Sequence, residues 1–223
     1  MEHDVKFIDQ LRNAASKDQS LDWANLSYYW EKNAQLTPIL DGEERVVFMG
    51  DSITEEWGRV YADFFQSPSY INRGIGGQTT PQMLIRFRED VIKLNPNTVV
   101  ILAGTNDIAG NTGPSSIDMI LNNIFSMAEL AIKNKIKVII CSILPVFKYP
   151  WAEDIKNVPD TIEEINIQLK SFTKMHNIIY LNYYSSMVDK DRGLNHKYTT
   201  DGVHLNKVGY EVMSDLVQEV LHQ

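Results

Sequence analysis

The chain has 223 residues, the size of one α/β domain, and 43% of them are hydrophobic, enough for a sizeable core. Its 21 basic and 29 acidic residues leave a net charge of −8. That argues against sequence-independent nucleic-acid binding and against docking on anionic membranes, because both need clustered basic charge. The single cysteine, Cys141, excludes an internal disulfide and a zinc site built on thiolates.

No apolar run approaches the roughly 20 residues that a membrane-spanning helix requires. The start, Met1-Glu2-His3-Asp4, has neither a basic n-region nor an apolar h-region. The expected compartment is the cytoplasm as the sequence stands, or the periplasm or exterior if a leader has been removed. Residues 1–40 read as a helical extension packed on the main domain. Leu21, Trp23, Leu26, Tyr29, Trp30 and Leu36 recur at irregular helical spacing, and Pro38 closes the stretch. These side chains either dock the segment or offer a surface to a partner.

From residue 41 to 223 the pattern is that of one domain. Short β-branched runs, Arg45 to Met49, Ser69 to Asn72, Thr98 to Leu102, Lys137 to Ser142 and Ile178 to Leu181, alternate with longer helical stretches. The helical stretches lie at about Pro81 to Leu94, Pro114 to Asn134, Pro159 to His176 and Asn206 to Leu221. Most of the runs are nearly continuous in apolar residues, as strands covered on both faces are. The alternation predicts a three-layer α/β/α sandwich around a five-stranded parallel sheet. Ligands in such folds bind beyond the carboxyl ends of the strands, so the residues just after each strand carry the functional information.

After the first strand comes Gly50-Asp51-Ser52-Ile53-Thr54. A serine on a strand-to-helix turn exposes its hydroxyl above the sheet, beside backbone N–H groups that can hold an anion. The same residues also read as a turn with a Ser or Thr helix cap. The second strand runs into Asn72-Arg73-Gly74-Ile75-Gly76-Gly77-Gln78-Thr79-Thr80, where glycines let backbone N–H groups face a ligand. A dinucleotide loop is the alternative, but Gly74-x-Gly76-x-x-Thr79 lacks the third glycine of that fingerprint. The third strand leads into Ala103-Gly104-Thr105-Asn106-Asp107. Asn106 there either aims its amide at a developing negative charge or closes an Asx-turn. Before the last helix, Asp201 precedes His204 by three residues, a spacing that lets a carboxylate orient an imidazole or simply cap the helix. Together the four segments supply a nucleophile, a base, an orienting carboxylate and oxyanion donors.

These segments resemble the four blocks of the GDSL or SGNH hydrolase family, and the similarity runs from about Arg45 to the C-terminus. Asn72 to Gly77 is especially similar to the branch that holds the catalytic subunits of platelet-activating-factor acetylhydrolase and many bacterial acylesterases. The N-terminal Asp22-Trp23-Ala24-Asn25-Leu26 is similar to an extension of bacterial GDSL acylhydrolases. The resemblance implies a flavodoxin-like SGNH hydrolase fold and a catalytic triad of Ser52, Asp201 and His204. It also implies an oxyanion hole made by Ser52, Gly77 and Asn106, with no metal or organic cofactor.

The expected activity is hydrolysis of short acyl esters, with acetylated carbohydrates as one substrate class. A lysophospholipase or thioesterase with the same triad, or a catalytically silent binding module, are the alternatives. Asp51, Trp57, Gly76 and Phe147 are candidate substrate contacts, and Tyr149 and Trp151 either wall the pocket with Phe147 or pack its loop. His196 reads as a surface-loop residue, His176 as favouring a helix dipole, and Cys141 as a buried structural thiol. The partner is a small ester, and a monomer or homodimer fits equally.

Overall fold

The computed structural model describes residues 2–40 and 42–222. Five parallel strands, β1 (Val46–Gly50), β2 (Tyr70–Gly74), β3 (Thr98–Leu102), β4 (Lys137–Cys141) and β5 (Ile179–Leu181), form one sheet in the order β2-β1-β3-β4-β5. This is the doubly wound order with its switch point between β1 and β3. Nine α-helices accompany it among the described residues: α1 (Glu2–Ala15), α2 (Trp30–Ala34), α3 (Ser52–Val60), α4 (Thr80–Asp90), α5 (Thr105–Ile108), α6 (Ile117–Lys133), α7 (Val158–His176), α8 (Tyr184–Met187) and α9 (Lys207–Leu221). All five predicted strands and all four long helical stretches are present, with ends displaced by a few residues.

The strand period of two divides the apolar residues between the faces. Val47, Met49, Val99, Ile101, Val138 and Ile140 pack with the helices α4, α6 and α7. Their chain neighbours Val46, Phe48, Val100, Leu102, Ile139 and Cys141 pack with α3 and α9. Strands β1, β3 and β4 are therefore apolar on both sides, which is why their sequences read as continuous runs.

The N-terminal segment is less helical than its spacing predicts. Only α1, α2 and a 3-10 turn at Gln19–Asp22 are helical, and Asn25 takes a left-handed backbone with φ 53°. The boundary residue Asp41 lies outside the described residues. Tyr29 is buried, whereas Trp23 and Tyr28 keep 41% and 49% of their surface exposed.

The carboxyl ends of the strands meet at close quarters. Gly50 pairs with Gly74 and with Leu102 across the sheet. A Cβ on Gly74 would lie 2.2 Å from the backbone N of Glu55 and 2.7 Å from Asp51 O. Helix α3 thus begins directly against the end of β2, and main chain cannot move aside as a side chain does. Gly74→Ala is expected to lower stability by at least about 3 kcal/mol, at the upper end of overpacking costs. Urea unfolding measures this, and an unchanged midpoint would mean that strand and helix can separate without cost.

Candidate active site

Ser52 opens α3, yet the cap of that helix is Asp51, whose carboxylate accepts the N–H of Ile53 at 2.9 Å. The serine hydroxyl is therefore spared the capping role and reaches Nε2 of His204 at 3.2 Å. Nδ1 of His204 lies 2.6 Å from Oδ2 of Asp201. An ionised carboxylate only accepts, so Nδ1 carries the proton and Nε2 offers its lone pair to the Ser52 hydroxyl. The other oxygen of Asp201 accepts the backbone N–H groups of His204 at 2.7 Å and Val203 at 2.9 Å. Burial pushes the Asp201 carboxyl up, but the imidazole and these two N–H groups outweigh it and hold its pKa below the usual value. Asp201 does not cap α9, because Asn206 does so by accepting from Gly209 N at 3.0 Å.

The glycine loop between β2 and α4 is tied at nearly every polar backbone atom. Gly74 O accepts the Tyr29 hydroxyl, and Ile75 N donates to Gly50 O at 3.1 Å. Gly76 N donates to Glu55 Oε2 at 2.7 Å, and Gln78 N donates to Ile75 O. Gly77 O accepts from Asn111 at 3.1 Å and Gln78 O from Asn106 at 3.0 Å. Gly77 has φ +75°, a conformation that favours glycine. Among the described residues its N–H has no protein acceptor.

Two buried groups brace this loop. Asp107 accepts from the N and Oγ1 of Thr80, which joins the third motif to the start of α4. Burial raises its pKa to about 6 against the pull of these donors. Fully buried Arg86 donates through Nη2 to Gly50 O and Arg73 O, through Nη1 to Asp90, and through Nε to the Gln78 side chain. The N-terminal segment reaches the same loop. Besides Tyr29, Ala24 O accepts from Gln78 Nε2 at 2.9 Å, and the Tyr28 hydroxyl donates to Glu55.

Of the candidate substrate contacts, Trp57 is a correction. It is 1% exposed, stacks on Phe64 and Tyr210, and donates its indole N–H to Ser214 Oγ, so it belongs to the core beneath α3. Asp51 is likewise enclosed and serves as the cap. Gly76 stands beside Ser52, since a Cβ there would lie 3.8 Å from Ser52 Cβ, but Glu55 occupies its N–H. Phe147 is 60% exposed and stands against Gly193. Tyr149 is buried with its hydroxyl on Thr105 at 2.9 Å. Trp151 is the aromatic that borders His204, with its ring 5.8 Å from the imidazole. His196 and His176 are exposed, and Cys141 is buried, with burial pushing its thiol pKa up. Glu55 and Asn111 escaped the sequence reading, and no motif or spacing marks either.

The sheet order, with a serine, an imidazole and a carboxylate joined in series above its carboxyl edge, is that of an α/β hydrolase. The chain belongs to the GDSL-like lipase/acylhydrolase family, whose sequence model matches residues 48–212. It is similar to a solved structure of a candidate acylhydrolase from Bacteroides fragilis, with 50% identity and a TM-score of 0.88, covering 90% of this chain and 97% of that one. A GDSL-like lipase from Bacteroides thetaiotaomicron is 48% identical with a TM-score of 0.87, covering 89% and 98%. Platelet-activating factor acetylhydrolase IB subunit alpha2 of Rattus norvegicus is 26% identical over 194 residues, 82% of this chain and 78% of that protein. No described helix is long and apolar enough to cross a membrane.

Burial raises the Asp51 carboxyl to about 7, partly opposed by the Ile53 N–H. A carboxyl whose pKa is raised by folding favours the fold when protonated. Wild-type stability should therefore fall as pH rises from about 4, its unfolded value, through about 7. Asp51→Asn keeps an oxygen for the Ile53 N–H and cannot ionise. Thermal melts should show the variant gaining on wild type between about pH 4 and about pH 8. A difference that does not change with pH would show that Asp51 ionises in the fold without penalty.

Proposed function

We propose that the enzyme removes short acyl groups, acetyl above all, through an acyl-enzyme on Ser52. His204 takes the Ser52 proton as the hydroxyl oxygen attacks the ester carbonyl, and Asp201 holds the imidazole and stabilises its charged form. The N–H groups of Ser52 and Gly77 and the second amide hydrogen of Asn106 receive the oxyanion. The tetrahedral intermediate collapses, and His204 passes its proton to the departing alcohol. Water then attacks the acyl-enzyme with His204 as base and restores Ser52. The hydrogen-bonded series Ser52–His204–Asp201 carries this reading.

The unengaged Gly77 N–H, with that of Gly76 taken by Glu55, supports Gly77 as the oxyanion donor. The acetylhydrolase relative supports the short acyl group. The exposed rings of Phe147 and Trp151 offer flat apolar faces suited to a sugar ring, which supports acetylated carbohydrates as substrates.

Ser52→Ala is expected to abolish hydrolysis of p-nitrophenyl acetate and labelling by a fluorophosphonate, with an unchanged unfolding midpoint. Retained turnover would refute Ser52 as nucleophile, and a wild-type chain that resists labelling would indicate a silent binding module. Across p-nitrophenyl esters, kcat/KM should fall as the acyl chain lengthens, and the reverse order would favour a lysophospholipase or thioesterase. Asn106→Ala should lower kcat by about 10²–10³ with little change in KM, the usual effect of losing an oxyanion donor. A change in KM alone would contradict that role.

A further inference from the structure

We infer that Asn111 is a positioning residue for both loop-borne oxyanion donors, and that the indole N–H of Trp151 sets its polarity. This rests on the esterase reading above. Asn111 lies five residues beyond Asn106, in the turn that follows α5, and its side chain makes three hydrogen bonds. Oδ1 accepts the Trp151 Nε1–H at 3.2 Å. Nδ2 donates to Gly77 O at 3.1 Å and to Asn106 Oδ1 at 3.0 Å.

The direction of this relay follows from chemistry. An indole nitrogen only donates, and a peptide carbonyl only accepts. Trp151 at one end requires Oδ1 of Asn111, which turns Nδ2 towards the two glycine- and asparagine-bearing loops. Asn106 must then present Oδ1 to Asn111, and its Nδ2 faces Gln78 O at 3.0 Å. One of the two hydrogens on that nitrogen remains, and it is the one the oxyanion would use. An amide flipped at either asparagine would set like poles against each other along the series.

The same contacts fix geometry. Through Gly77 O, Asn111 holds the peptide that follows the Gly77 N–H, and through Asn106 it holds the other donor. Trp151 brings in a third loop, the one after β4, and its ring borders His204. The backbone of Asn111 is anchored to the same site, because its N–H donates to Asn106 O at 3.0 Å. Next to it, the hydroxyls of Thr112 and Thr79 lie 3.0 Å apart and join the two loops again. Asn111 is exposed and contributes nothing to the core, so its contacts serve the site.

Kinetics on three variants test the relay. Asn111→Ala is expected to lower kcat about tenfold with KM within about twofold, less than the loss of a donor itself. Asn111→Asp has the same shape but sets a carboxylate against Gly77 O and Asn106 Oδ1, and brings negative charge beside the forming oxyanion. It should therefore lose about 10²-fold or more in kcat, a larger loss than alanine causes. Trp151→Phe keeps an aromatic ring at this position while removing the indole N–H with its pyrrole ring, and it should lower kcat by a smaller factor at constant KM. The rate of Ser52 labelling by a fluorophosphonate should follow the same order. A residue that merely fills space would tolerate the isosteric aspartate better than alanine, so Asp milder than Ala overturns the proposal. An effect confined to KM overturns it as well. Unchanged kcat in Trp151→Phe overturns the polarity argument. If wild type turns over esters and Asn111→Asp does so equally, the relay alone fails. A wild type that hydrolyses no ester removes the esterase reading and the relay with it.

Discussion

One fully buried guanidinium holds the functional edge of the sheet together. Arg86 reaches from α4 to the last carbonyl of β1 at Gly50 and to Arg73 O in β2, both about 3 Å away. Its remaining donors go to Asp90 and to the Gln78 side chain in the glycine loop. A charge without exposure is tolerable only when its donors are matched, and removing one partner of such a pair typically costs about 3–5 kcal/mol. Asp90 also accepts from Asn33 at 2.7 Å, so the N-terminal segment is joined to the same network. The strand ends, the glycine loop and the N-terminal segment therefore share one electrostatic anchor. The Ser52–His204–Asp201 series and the Gly77 loop stand on that edge.

A second regularity is the separation of structural from chemical roles between neighbours in sequence. Asp51 caps α3 and frees the Ser52 hydroxyl, while Asn206 caps α9 and frees Asp201 for His204. In the glycine loop, Gly76 gives its N–H to Glu55, and Gly77 keeps its own open. Ser52 and Gly77 each stand beside a residue that meets the local hydrogen-bonding demand. The close approach of β2 to α3, possible only at glycine, brings Gly76 beside Ser52 at the start of that helix.

The parts that were legible in the sequence follow from two short-range rules. Strands buried on both faces need apolar residues at successive positions, so β1, β3 and β4 stand out even without alternation. Amphipathic helices such as α6 and α9 show their buried stripe at helical spacing. Short helices such as α5, with four residues, have too few turns to show a period. Trp57 was misplaced for a related reason. Its position five residues after Ser52 puts it near the candidate site in sequence, but the turn of α3 points it into the core against Phe64 and Tyr210. The hydrogen bond from Gln78 Nε2 to Ala24 O was not readable in the sequence, because the two residues are 54 positions apart.

By itself, the sequence determined the fold class and the residue types at the ends of the strands, since hydrophobic periodicity and turn chemistry act over a few residues. It also placed the serine, asparagine, aspartate and histidine in the order their resemblance implies. Tertiary structure decided which of those groups are free to act. Ser52 and His204 are 152 residues apart, and Asn111 and Gly77 are 34 apart. Which residue caps a helix, which glycine N–H stays open and which way an amide points depend on partners brought together by folding. Hydrogen bonds are satisfied in space rather than along the chain, and that is why Trp151, Asn111 and Glu55 join the site without any mark in the sequence.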